Sequence, residues 1–127
     1  MGILMYYYGI KGFLHWGFNF YYSEYSRQLI PPTGSVTNLH TFPAGDAYLV
    51  YPGENGTPLD SIRHEVFRDA LQDVRKLQLL ESRIGREKTL RLLESLFGGQ
   101  KLSFENYPKG NVLLLEIDKK IMECCVR

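Results

Sequence analysis

Gly12-Phe13-Leu14-His15-Trp16-Gly17-Phe18-Asn19 is the stretch that decides how this chain is read. Residues 12–16 are short, apolar and aromatic, and glycine bounds them, which is the pattern of a buried strand. Upstream, Ile3 to Tyr8 predicts the last turns of a helix, with Gly9 as the glycine just past its end. A helix, a tight turn and a wholly apolar strand make an α/β unit, whose strand is covered on both faces. Ala47 to Tyr51 is the one other convincing strand, and two strands do not make a stable sheet. The strand is therefore either an edge of something larger or a minor part of a largely helical fold.

Beyond residue 60 the pattern is helical. Asp60 or Ser61 is the expected N-cap, and Ile62, Val66, Phe67, Ala70, Leu71, Val74, Leu77 and Leu80 mark one apolar helix face. Gly85 ends that helix. A second helix runs from Arg86 to Phe97, with Leu90, Leu93, Leu96 and Phe97 inward, and Gly98-Gly99 stops it. A third spans Asn111 to Cys125, with Leu114, Ile117, Ile121 and Cys125 inward. Between the two halves, Ser23 to Asp46 is a long irregular stretch of the kind that is functional or disordered. Gly53-Glu54-Asn55-Gly56 reads as a turn.

Composition excludes several classes. The chain is 44% hydrophobic and 23% charged, as globular domains are. Its 15 basic and 14 acidic residues leave a net charge of +1, so no electrostatic footprint for nucleic acid is present. Cys124 and Cys125 are adjacent and cannot staple distant segments; no metal-ligand spacing accompanies them. The apolar N-terminus is interrupted by Lys11, His15, Asn19 and several glycines, so neither a membrane span nor a signal peptide is expected. Of the aromatic residues only Phe67, Phe97, Phe104 and Tyr107 lie beyond Tyr51. That asymmetry suggests an N-terminal half built to sit inside something larger.

Three blocks carry a resemblance. Residues 12–19 are similar to a Gly-Phe-Leu-x-Trp-x-x-Asn strand. Pro43-Ala44-Gly45-Asp46-Ala47-Tyr48-Leu49-Val50-Tyr51-Pro52-Gly53 is similar to a Gly-Asp-x-x-Leu-x-Tyr-Pro-Gly block. Residues 61–73, Ser61 to Asp73, resemble a Ser-x-Arg-x-Glu helix. In this order the blocks resemble glycoside hydrolase family 123 and the related domain-of-unknown-function family 4091, over residues 3–84. Ala70 stands where that family commonly has glycine, which suits a helix.

The resemblance implies a (β/α)8 TIM-type barrel acting on β-linked N-acetylgalactosamine. It implies substrate-assisted chemistry, in which an adjacent Asp-Glu pair serves the substrate's own acetamide, unlike the usual two-carboxylate scheme. No Asp-Glu dipeptide occurs in this chain. The expected fold is thus an α/β fragment: the last strand or strands of a barrel plus three C-terminal helices. Residues 1–84 would be the end of the catalytic domain and residues 85–127 a helical extension, with Met1 an internal methionine or a late start. The expected function is that of a glycosidase fragment inactive alone. The alternative is a small carbohydrate-binding or protein-interaction module, and whether the chain is an enzyme stays open.

Barrel active sites lie at the C-terminal ends of the strands, which draws attention to Trp16, Asn19 and Tyr22, and to Asp46 beside the long loop. A sugar offers C–H faces to an aromatic ring and hydroxyls to polar groups. Trp16 is either a stacking platform or barrel core, and Asn19 either binds a hydroxyl or caps a turn. Asp46 either accepts from a sugar or fixes the turn before Ala47. Tyr48 and Tyr51 are expected to face differently, with at least one in the core. His15, alone on its strand, reads as packing. Arg63, Glu65, Arg68, Asp69 and Asp73 form a solvated charged face on which Glu65 and Arg68 are spaced to pair, or else Arg63 or Arg68 reaches a carboxylate of the missing barrel. No catalytic residue, metal or cofactor is expected. The partners expected are an N-acetylhexosamine-type carbohydrate and either the missing barrel or a second copy; nucleic acid and membrane are not expected.

Overall fold

The computed structural model describes residues 1–22, 27–29, 31, 45–107, 109 and 111–126, with backbone alone at 111–113 and 125–126. Most of the expected Ser23–Asp46 loop, and the inward place given to Cys125, lie outside the described residues. In order, the elements are α1 (Gly2–Tyr7), β1 (Val50–Pro52), a 3-10 turn (Glu54–Gly56), β2 (Pro58–Asp60), α2 (Ile62–Ile84), α3 (Arg86–Leu96) and α4 (Asn111–Val126). Among the described residues this is a small α/β arrangement with four helices and one two-stranded antiparallel sheet. The chain divides into two compact units: residues 1–12 with 69–127, and residues 13–68. Among the described residues no helix is long and apolar enough to cross a membrane.

The first unit is helical. Its core joins Ile3 and Tyr6 of α1, Leu77 and Leu80 of α2, Leu93 of α3, and Ile117 and Ile121 of α4, with Leu102 between the last two helices. Each such side chain taken out of water contributes about 1.5–3 kcal/mol. The expected helices after residue 60 are all present. Of the apolar face expected on α2, Ala70, Leu77 and Leu80 are buried, whereas Ile62 and Val66 are exposed, as is Leu114 of α4. Helix ends follow their sequence signals. Ile10 N–H donates to Met5 O and Gly9 N–H to Tyr6 O, a Schellman cap that Gly9 permits with φ +66°. A Cβ on Gly2 would lie 2.1 Å from Ala70 O, so α1 and α2 touch backbone to backbone there. Tyrosines of α1 anchor it by hydroxyl: Tyr6 donates to Glu81 Oε2 at 2.5 Å and Tyr7 to Glu94 Oε1 at 2.5 Å.

The second unit is built around pairing that the sequence reading placed wrongly. Residues 12–16 form no strand; Phe13, Leu14 and Trp16 are exposed, Leu14 at 91%. The pairing begins after the glycine instead. Phe20 N–H donates to Ala47 O at 3.0 Å, Leu49 N–H donates to Phe18 O at 2.6 Å, and Asn19 bridges Tyr48 antiparallel. Gly17 makes this possible, because a Cβ there would sit 3.2 Å from the Ala47 backbone. The second expected strand, Ala47 to Tyr51, is shorter and later, Val50–Pro52. It pairs antiparallel with Pro58–Asp60, whose last residue, Asp60, was one of the two N-caps expected for the helix. Gly53 to Gly56 is the hairpin turn, with Asn55 at φ 56°. Among the described residues no parallel strand pair occurs, so the barrel-strand expectation for residues 12–16 is not met. Ser61 begins α2 as expected, accepting from His64 N–H at 3.3 Å and donating to Leu49 O at 2.7 Å.

Candidate functional site

The chemistry of the second unit gathers where residues 15–22 run beside residues 45–49. Two glycines permit close contacts here. Gly17 is one; Gly45 is the other, at φ +88°, where a Cβ would meet Tyr51 Oη at 2.6 Å and Arg63 Nη2 at 3.0 Å. With Gly45 turned this way, Asp46 reaches back to the first segment. Trp16 Nε1–H donates to Asp46 Oδ2 at 2.8 Å, and His15 Nε2 lies 3.7 Å from Asp46 Oδ1.

The rings form a run. Trp16 meets Phe20 edge to face at 5.7 Å, and Phe20 meets Tyr22 at 6.1 Å. Trp16 and Tyr22 are exposed and Phe20 is half-buried, so apolar ring surface borders a carboxylate. Asn19, exposed, donates through Nδ2 to Tyr21 Oη at 3.3 Å. All four residues singled out from sequence thus fall in one unit, and Trp16 and Asp46 are joined directly. Asn19 is turned toward Tyr21 rather than toward either of them.

Support comes from below. Tyr48 is fully buried and stacks on Tyr51 at 5.1 Å with 15° between the planes, so the two face each other rather than apart. Burial, reinforced by Tyr21 and Tyr51, pushes the Tyr48 hydroxyl up, and among the described residues that hydroxyl has no hydrogen-bond partner. Arg63 Nε donates to Tyr48 O at 2.9 Å and Nη2 to Tyr51 Oη at 2.7 Å. Arg63 is therefore half-buried rather than on a solvated face, and it latches α2 to the segment that carries Asp46. Glu65 and Arg68 pair as spaced, at 2.6 Å.

Sequence reasoning did not foresee the approach of His15 to Asp46, or Phe20 as the link between Trp16 and Tyr22. The signal for His15 lay across the chain at Asp46, where local spacing does not reach. Elsewhere in this unit Asp60, His64 and Glu65 hold ligand-type atoms within 4.8 Å of one another. His64 Nδ1 already lies 3.1 Å from Asp60 Oδ1, and Glu65 is held by Arg68. In the helical unit a groove of about 390 Å³ contains Tyr6, Glu81 and Arg86. Those three satisfy one another: Arg86 bonds Glu81 at 3.3 Å, sits over the Tyr6 ring at 5.0 Å, and donates to the Tyr6 and Tyr7 carbonyls that end α1.

Comparison with known families decides the affiliation. Residues 1–80 match the family described as Glycoside hydrolase 123, catalytic domain. The chain belongs to the glycoside hydrolase 123 catalytic-domain family. That match includes every residue of the aromatic and carboxylate cluster and ends within α2 of the helical unit. No curated protein matches the chain.

Proposed function

We propose that these residues form the sugar-contacting end of a glycosidase catalytic domain and that they do not hydrolyse a glycoside by themselves. On this reading the sugar is β-linked N-acetylgalactosamine or a close N-acetylhexosamine, residues 1–84 belong to the catalytic domain, and residues 85–127 extend it. Trp16 and Tyr22 supply ring faces for sugar C–H groups and Asp46 accepts from a hydroxyl. Asn19 offers an amide once its bond to Tyr21 is exchanged. The observation that carries the reading is the 2.8 Å bond from Trp16 Nε1 to Asp46 Oδ2. It fixes a carboxylate at the edge of an exposed indole, so a pyranose lying on the ring would present its hydroxyls to Asp46.

Hydrolysis needs more than this. The family's mechanism, as its resemblance implies, uses an adjacent Asp-Glu pair, and these 127 residues contain none. Among the described residues around Trp16 no nucleophile–base pair replaces it. Calorimetric titration of the chain with N-acetylgalactosamine tests the binding half of the proposal. Saturable binding that Trp16→Ala removes is expected; no heat at tens of millimolar sugar would overturn it. A chromogenic β-N-acetylgalactosaminide tests the other half, and turnover by the purified chain would contradict it.

The second reading is a non-catalytic interaction module. The exposure of Phe13, Leu14 and Phe18 favours it, because neighbouring apolar side chains left in water mark a contact surface. Self-association that masks these residues, with no sugar binding, would support it over the first.

A further inference from the structure

We infer that Gly85 is a hinge at which residues 86–127 change partners between two copies of this chain, giving an exchanged dimer. Sugar binding plays no part in this, and only the helical unit is concerned. α2 ends at Ile84 and α3 begins at Arg86, so Gly85 is the whole connection between them. Its φ of 85° and ψ of 153° lie in a region essentially closed to residues with a Cβ. Yet the helical ladder reaches Gly85 from both sides. Gly85 N–H donates to Glu81 O at 2.8 Å, and Thr89 N–H donates to Gly85 O at 3.1 Å. Rotation of Gly85 alone into helical φ and ψ would join α2 and α3 into one helix from Ile62 to Leu96. The N–H groups of Arg86, Glu87 and Lys88, which open α3, would then meet the carbonyls of Ser82, Arg83 and Ile84, which close α2. α3 has no side-chain cap to lose. Gly85 is exposed, and a Cβ there would have nothing within 4 Å.

A straightened helix carries α3 and α4 away from their own core. The hinge divides that core: Ile3, Leu77 and Leu80 precede it, and Leu93, Ile117 and Ile121 follow it. Left in water, both sets would lose their burial, and the complementary surface for each is the same core in a second copy. Polar contacts divide in the same way. Tyr7 Oη donates to Glu94 Oε1 at 2.5 Å and Lys76 Nζ to Asp118 Oδ2 at 2.6 Å, each across the hinge. Exchange rebuilds these contacts between copies and adds helix bonds at the hinge; short connectors under strain favour it. Two forces hold the closed chain. One is the entropy of two free molecules over one dimer. The other is Arg86, the first residue past the hinge, which donates to the Tyr6 and Tyr7 carbonyls at 3.2 Å. The balance therefore turns on chain concentration.

The test refolds the whole chain from denaturant at micromolar and at millimolar concentration and reads mass by light scattering. Wild type is compared with Gly85→Ala and with a chain carrying Gly-Ser-Gly-Ser inserted after residue 85. Alanine does not hold the closed angles but suits the straight helix, so the millimolar dimer fraction should rise about tenfold over wild type. The insertion lets the arm fold back on its own core and should abolish the dimer. In a dimer refolded from labelled and unlabelled chains, isotope-filtered NOEs should join Leu77 and Leu80 of one copy to Leu93 and Ile121 of the other. Gly85→Ala that stays folded and monomeric at millimolar concentration would overturn the hinge. So would a dimer whose core NOEs all remain within one copy, as in association through Phe13 and Leu14. If Gly85→Ala fails to fold, wild type decides: a millimolar dimer that the insertion removes is expected, and no dimer, or one that the insertion leaves unchanged, overturns the hinge.

Discussion

Trp16 and Asp46, 30 residues apart in sequence, are joined by an indole N–H donated to a carboxylate oxygen at 2.8 Å. The bond couples the only tryptophan of the chain to the residue after Gly45. It makes one surface from two segments that lie far apart in the sequence.

Trp16→Phe keeps an aromatic face and removes the donor, so Asp46 loses its fixed orientation. Affinity for N-acetylgalactosamine is expected to fall about tenfold, the weight of a hydrogen bond to a charged group. Trp16→Ala should fall further because the stacking face goes as well. Calorimetry of the two variants checks the order; Trp16→Phe binding as tightly as wild type would mean that the indole N–H contributes nothing, and equal losses in the two variants that the ring face contributes nothing.

Gly45→Ala should destabilise the second unit and weaken sugar binding together. The new methyl meets Tyr51 Oη and Arg63 Nη2, and left-handed backbone costs a residue with a Cβ about 1–2 kcal/mol. Denaturant unfolding gives the first effect and titration the second. Full binding in this variant would show that Gly45 does not position Asp46.

Gly2→Ala should also destabilise, although alanine is normally the better helix former by about 1 kcal/mol. Its Cβ would stand 2.1 Å from Ala70 O and 2.8 Å from Asp73 Cβ. The clash outweighs propensity by about 1–3 kcal/mol, limited by the cost of undocking α1. Denaturant melts of the two proteins decide the sign.

Tyr6 and Glu81 make stability depend on pH at both extremes. Burial, then the hydrogen bond to Glu81, pushes the Tyr6 hydroxyl from 10.0 up to about 12. Its contribution is whole below the unfolded value and is lost as pH rises through the folded one. The same hydrogen bond holds Glu81 below its ordinary value of 4.5; that contribution is present above 4.5 and is lost as pH falls through the folded value. Unfolding free energy measured against pH should therefore decline at both ends, and Tyr6→Phe should flatten the alkaline arm and reduce the acid one.

What the sequence made legible was local. Gly9, Ser61, Gly85 and Gly98-Gly99 bound their helices as read, because caps act within a turn. Leu77, Leu80, Leu93, Ile117 and Ile121 are inward as their spacing requires. Residues 12–16 misled because apolar, aromatic composition signals burial without saying what buries it; in this chain the ladder starts at Phe18, once Gly17 lets the backbones close. Pro58–Asp60 was hidden because its partner is set by the hairpin rather than by its own residues. Of the site, Trp16 and Asp46 were visible through their motif blocks. The approach of His15 to Asp46 and the bonds of Arg63 were not, since they depend on contacts across the fold.

The most direct test of the central claim uses the Trp16 indole N–H itself. In a 15N-labelled sample, N-acetylgalactosamine should shift that single indole resonance saturably, along with the amides around residues 15–22 and 45–49, and leave the helical unit unmoved. Asp46→Asn should move the indole resonance before any sugar is added and weaken the sugar-induced shift. An indole resonance that ignores the sugar, or shifts confined to the helical unit, would contradict the account.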